Sequence, residues 1–160
     1  IYQGMIHPGR GLEPFVKVLG KFPNWVLCVL GSGRHWNEIK RIIDEIGVSN
    51  QVYKSEPVPY QELAEWTVSA DAGLCYIEPL TESLRLALPN KLFDYIQAQI
   101  PVLVSDLDEM KLIIEQFNVG EIISDRNPKK LANQIENLLQ KENSYFISTT
   151  NKGSILFWKN

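Results

Sequence analysis

Six short apolar runs alternate with amphipathic segments along nearly the whole chain, and no other property of the sequence restricts its fold so sharply. Strands are predicted near 1–5, 24–30, 51–55, 71–76, 101–105 and 119–124, and helices near 11–21, 35–47, 60–69, 90–98, 109–117 and 128–141. Runs such as WVLCVL (25–30) and PVLVS (101–105) are apolar on both faces, as strands buried between two layers of helices must be. Parallel strands joined through helices cross over with one hand, so the expectation is an α/β fold with a doubly wound, Rossmann-like, six-stranded parallel sheet and helices on both faces. Ligands of such sheets bind beyond the carboxyl ends of the strands, which directs attention to the loops at 5–10, 31–35, 56–59, 77–89 and 106–108.

Composition sets the scale and removes some functions. With 160 residues, 44% of them hydrophobic, the chain suffices for one globular domain with a sizeable core. A net charge of −3 supplies no general attraction to nucleic acid or to an anionic membrane, so phosphate binding has to be local. No apolar segment approaches the length of a membrane span. Cys28 and Cys75 lie inside strand-like runs, where a reduced core thiol is the ordinary outcome, and a cytoplasmic location is expected. Ile1 already sits in a strand pattern, so the expected organisation is a domain over 1–141, a tail over 142–160 and a further amino-terminal domain outside this sequence. The tail is polar and turn-rich before an apolar SILFW, and is expected to pack late or on another domain.

The stretch from Ser83 to Ser105 is the most informative. Wound as a helix from Pro89, it sets Leu92, Phe93 and Ile96 on one side and Asn90, Lys91, Asp94 and Ala98 on the other. Pro89 suits the first helical position, and Leu88 before it offers no capping oxygen to the N–H groups of Asn90, Lys91 and Leu92. Those donors take either solvent or an anion; a lysine in the first turn, against the helix dipole, favours the anion. In the first loop Arg10 stands between Gly9 and Gly11, either as a phosphate clamp or as a solvated arginine, with His7 as a neighbour. After the second strand comes GSGRHW, a tight turn, but Trp36 occupies the position where a dinucleotide fingerprint needs a small residue, so NAD binding is not expected. Asp106 and Asp108 have the spacing of an acidic metal pair, yet Asp108 stands where a helix N-cap is needed, and no metal or other cofactor is assigned. No hydrolase triad and no Walker-type loop is present.

Taken together, the YxGxI…RGLE start, the strand ending in GSG, the ADAGLCYIEP strand and the LPNKLFDYIQAQIPVLVSD block resemble the carboxyl-terminal domain of GT-B-fold retaining glycosyltransferases, the large group-one family, over roughly residues 1–140. The resemblance implies a domain that holds a nucleotide-sugar donor, while a separate amino-terminal domain holds a glycan or lipid-linked acceptor. It implies that Arg10 contacts the donor diphosphate, that Gly31 and Gly33 line the nucleoside, that Val58 and Pro59 flank the base, and that Asp94 holds the ribose hydroxyls. Gly4, Asn90 and Lys91 complete the implied nucleotide site, with Arg10 and Lys91 stabilising the leaving diphosphate. Two positions depart from the family pattern: Leu86 replaces the earlier acidic residue, with Glu82 as a nearby alternative, and Met5 stands where many members have a second arginine. Membrane association is expected only through parts outside this sequence. A nucleotide-sugar epimerase of related fold and a noncatalytic binding module are the competing expectations.

Overall fold

A computed structural model of the chain describes residues 1–140; the segment expected as a tail, 142–160, lies outside the described residues. Within the described residues, six strands and seven α-helices run in the anticipated alternation: β1 (Tyr2–Gln3), α1 (Leu12–Leu19), β2 (Leu27–Leu30), α2 (Trp36–Ile46), β3 (Val52–Ser55), α3 (Tyr60–Val68), β4 (Gly73–Cys75), α4 (Glu82–Arg85), α5 (Asn90–Gln97), β5 (Val102–Ser105), α6 (Asp108–Phe117), β6 (Gly120–Ile123) and α7 (Pro128–Gln140). The one-turn α4 falls inside the segment read as a loop. Its Thr81 hydroxyl accepts from Leu84 N–H at 3.2 Å and closes that turn.

Every strand pair is parallel, and helices cover both faces. The side chains of β5 show why. Leu103 enters a core with α1, α2 and α7, whereas Val102 and Val104 enter a second core with α5 and α6. Strands with period-two side chains and no polar face can be buried only in this way.

The expected six-stranded sheet is corrected to two three-stranded sheets, ordered β1-β2-β3 and β4-β5-β6. They meet along β1 and β4, where Leu74 N–H donates to Ile1 O at 2.8 Å and the Ile1 amino group donates to Ala72 O at 2.7 Å. A regular parallel ladder would continue with Gln3 N–H donating to Leu74 O. The hydroxyl of Tyr95 stands there instead, accepting from Gln3 N–H at 3.2 Å and lying 3.4 Å from Leu74 O and 3.5 Å from Ile1 O. Burial holds the Tyr95 phenol well above its ordinary pKa, so the group stays neutral and can serve as donor and acceptor at once. Its ring needs room beside β4, and Gly73 supplies it: a Cβ there would lie 2.3 Å from the Tyr95 ring.

Tyr95, Leu92 and Ile96 are the buried residues of α5; Phe93, expected in the core, is half-buried. The predicted apolar side of this helix is therefore right in direction and rotated toward Tyr95. At the outer edge β3 has no fully buried residue, and Tyr53 stacks on Trp66 of α3 with ring centres 5.4 Å apart.

Replacing Tyr95 by Phe should leave the buried Gln3 N–H without its partner and cost about 1–3 kcal/mol of stability, the penalty for an unsatisfied buried donor. Urea unfolding of the two proteins side by side measures it, and equal midpoints would show that the hydroxyl does not hold the seam.

Candidate functional site

At the carboxyl ends of β1 and β2 the chain encloses a cavity of about 420 Å³. Gln3, Gly4 and Met5 form its floor, Leu30 to Ser32 one side, Pro57, Val58 and Leu63 the wall toward α3, and Asn90, Lys91 and Asp94 the wall toward α5. A second cavity of about 440 Å³ lies at the opposite ends of the strands, between Trp25, Trp66 and Leu139, and has no lysine or arginine in its lining. Only the first joins polar groups to positive charge where the fold class puts its ligands.

The floor rests on two close approaches of backbone. Gly4 N–H donates to Leu30 O at 2.9 Å and Ile6 N–H to Ser32 O at 2.9 Å, which lays the loop after β1 along the loop after β2. A Cβ on Gly31 would come within 1.9 Å of Gly4 O, and one on Gly33 within 2.0 Å of Ile6 O. The G-x-G glycines are thus explained by chain against chain. Gly31 also lines the cavity, whereas Gly33 does not.

α5 starts at Asn90, within the expected 90–98, but Pro89 is its N-cap in extended backbone, without a side-chain cap, and not its first residue. Leu92 N–H is satisfied by Pro89 O at 3.0 Å, which leaves the N–H groups of Asn90 and Lys91 from the expected set of three. Lys91 is half-buried and turns its ammonium inward, 4.0 Å from the centre of the Tyr2 ring. Burial lowers its pKa to about 8; the Cys75 thiol acts against that shift and the Arg10 charge adds to it. No carboxylate lies within ion-pair distance of Lys91 or of Arg10 among the described residues. One turn further, Asp94 accepts from Gln3 Nε2 at 2.9 Å, and Gln3 Oε1 accepts from the Thr67 hydroxyl of α3 at 3.0 Å. Burial raises the Asp94 pKa and the Gln3 hydrogen bond acts against it.

Gly4, Gly31, Val58, Asn90, Lys91 and Asp94 are therefore brought together, while Arg10, Gly33 and Pro59 stand outside the lining. Arg10 belongs to a loop shaped by Gly9 (φ 77°) and Gly11 (φ 70°). A Cβ on Gly11 would sit 2.1 Å from the Tyr76 ring. Arg10 is half-buried and near enough to act on Lys91 electrostatically. Pro59 is the exposed N-cap of α3. Glu82 and Leu86 are exposed and, like His7, outside the cavity. Asp108 is the first residue of α6 with Leu107 at the cap, which corrects its expected capping role. Asp106 faces Lys111 at 3.6 Å and Asp108 faces Arg85 at 3.8 Å. His35 pairs with Glu13 of α1, and Trp36 packs on the core. Sequence reasoning missed Gln3 and Ser32; a lone glutamine within the apolar start IYQGMI was the available signal for the first.

Among the described residues no helix is long and apolar enough to cross a membrane, and no group of three or more His, Cys, Asp or Glu is placed to hold a metal ion. The family model described as glycosyl transferases group 1 matches residues 4–141. No curated protein sequence matches the chain. Among solved structures, WaaG, a glycosyltransferase involved in lipopolysaccharide biosynthesis, superposes with a TM-score of 0.70 at 16% identity, covering 94% of this chain and 40% of WaaG. TarM of S. aureus, solved as a point mutant with UDP among its ligands, gives 0.71 at 14% identity over 94% of this chain and 30% of TarM. The C-terminal domain of LpcC, a group 1 family protein from Francisella tularensis, gives 0.68 at 15% identity over 92% of this chain and 84% of that domain. The chain thus spans well under half of WaaG and TarM, and most of an isolated C-terminal domain.

The lowered pKa of Lys91 has a signed consequence. Between about 8 in the folded chain and roughly 10.4 in the unfolded one, the unfolded state binds more protons, so deprotonating Lys91 stabilises the fold as pH rises through that window. Urea unfolding at about pH 7 and pH 10 should show a gain for the wild type relative to Lys91→Met, whose stability lacks this contribution. Parallel pH profiles for the two proteins would place the lysine in solvent.

Proposed function

The chain belongs to the glycosyl transferases group 1, and from that membership we propose that its cavity receives the nucleoside diphosphate of a nucleotide-sugar whose sugar passes to a glycan or lipid-linked acceptor, with retention and without a metal ion. The observation that carries this reading is Lys91: a cation of lowered pKa, free of any carboxylate partner among the described residues, set beside the unbonded N–H groups of a helix start. Such a group, close to a second cation in Arg10, is poised for an anion of more than one charge. UDP in the TarM structure makes uridine diphosphate the first probe.

The chemistry asked of these residues is modest. Cleaving the bond between a sugar and a diphosphate develops negative charge on the leaving oxygens, and donors fixed in advance stabilise that charge without reorganising. Lys91 with the Asn90 and Lys91 N–H groups would serve from the cavity wall, and Arg10 from the adjoining loop. Asp94, on the same wall, would hold the ribose hydroxyls, and Val58 would flank the base. Groups that orient the acceptor would come from elsewhere in the whole protein, in keeping with a chain that spans only part of WaaG. A cytoplasmic setting accords with the two unpaired cysteines, Cys28 and Cys75.

UDP, GDP and ADP, each with EDTA present, should be screened by thermal shift and the best followed by calorimetry. Ligand at a hundred times its dissociation constant stabilises a fold by about 2.7 kcal/mol, and no response to any of the three at high concentration would remove the donor-site assignment. Arg10→Ala should weaken the diphosphate by about 1.5–3 kcal/mol while leaving the bare nucleoside unaffected, since the lost contact is charge-assisted and to phosphate alone. Equal losses for both ligands would make Arg10 a residue of the loop's structure.

A further inference from the structure

Asp94 does not stand in the cavity unaided. Gln3, only 3% exposed, lies beneath it with both ends of its amide engaged: Nε2 donates to Asp94 Oδ2 at 2.9 Å and Oε1 accepts from Thr67 Oγ1 at 3.0 Å. The main chain of Gln3 is pinned as well, through its N–H to the Tyr95 hydroxyl at 3.2 Å. The Asp94 end sets the orientation of the amide, since exchanging its oxygen and nitrogen would set oxygen against carboxylate, while the Thr67 hydroxyl, whose one hydrogen is shared between Gln3 Oε1 and Leu63 O at 2.6 Å, holds the other end in place. Asp94 Oδ2 is thereby committed to the protein. Among the described residues Oδ1 has no protein donor, and Asp94 lines the cavity.

From this arrangement we infer that Gln3 is a positioning residue of the nucleotide site: by fixing the Asp94 carboxylate with one oxygen presented to ligand, it sets the preference of the cavity for a ribose diol. The inference rests on the donor-site reading above and adds a residue to which that reading gives no role. Removing the amide frees the carboxylate to rotate and withdraws the hydrogen bond that favours its charged form, while burial continues to favour the neutral acid. The groups facing Asp94 make this attributable to Gln3. Gln3 of β1 donates to the carboxylate, the neutral Tyr95 of α5 interacts with it electrostatically, and Leu63 of α3 and Lys91 of α5 share the cavity lining with it, Lys91 outside ion-pair distance. Gln3 is the single uncharged donor to the carboxylate among them.

The test uses the 160-residue chain, Gln3→Met, and two probes, UDP and 2′,3′-dideoxyuridine 5′-diphosphate. Calorimetry should show the wild type preferring UDP by about tenfold to a hundredfold, the range for a charged hydrogen bond, and Gln3→Met narrowing that ratio to about threefold or less. NMR of the Asp94 carboxyl carbon without ligand should show its titration moving to higher pH in Gln3→Met. A wild type that discriminates, together with a variant that discriminates equally or an unmoved Asp94 titration, overturns the role of Gln3 alone. A wild type that binds both probes equally overturns the ribose assignment and, with it, this inference. Should Gln3→Met fail to fold, Thr67→Val removes the anchor of the amide from the other side and is expected to shift both readouts in the same direction by less; no shift in either would overturn the proposal.

Discussion

One hydroxyl group completes the seam between the two halves of this molecule, which the two hydrogen bonds of Ile1 begin. Tyr95 inserts its phenol where the ladder between β1 and β4 would otherwise continue, taking the Gln3 N–H and lying against two strand carbonyls. Because the tyrosine comes from α5, the bond that closes the seam also fixes the rotation and height of that helix. Lys91 and Asp94 lie one turn and one residue before it, so their presence in the cavity follows from how the sheet is joined. Gly73 is part of the same device, since any side chain there would displace the ring.

The alternation of strands and helices is readable because both faces of the strands are buried and the apolar runs are therefore nearly unbroken. WVLCVL and PVLVS leave little choice. The interruption of the sheet is not readable in the same way. Nothing in the run IYQGM distinguishes a strand that pairs on both sides from one whose next hydrogen bond goes to a side chain far along the chain, on α5. For the same reason α5 is wound correctly by period but slightly rotated: a tyrosine can be buried only if its hydroxyl finds a partner, and that partner is a tertiary one.

The site divides similarly. Asn90, Lys91 and Asp94 on α5 follow from the side of the helix left free by the core, a local inference, and the cavity includes all three. Gly31 and Gly33 are legible as glycines that something must approach closely, yet what approaches is the loop after β1. Arg10 is read from its glycine-flanked loop and Pro59 from the family resemblance, and neither route specifies where a side chain ends; both stand outside the lining. Gln3 escapes notice because a polar residue in a short strand carries no periodic signal, and its meaning emerges only when α3 and α5 are set on either side of it.

The two walls of the cavity are built to different standards. α5 buries three residues, among them the tyrosine of the seam, whereas α3 buries only Thr67 and leans on an edge strand through the Tyr53–Trp66 stack. Elements with so little buried surface open at a small fraction of the global unfolding free energy. The cavity is therefore stiff along α5 and yielding along α3: it will discriminate sharply among groups that press on the first wall and accommodate variation in those that press on the second.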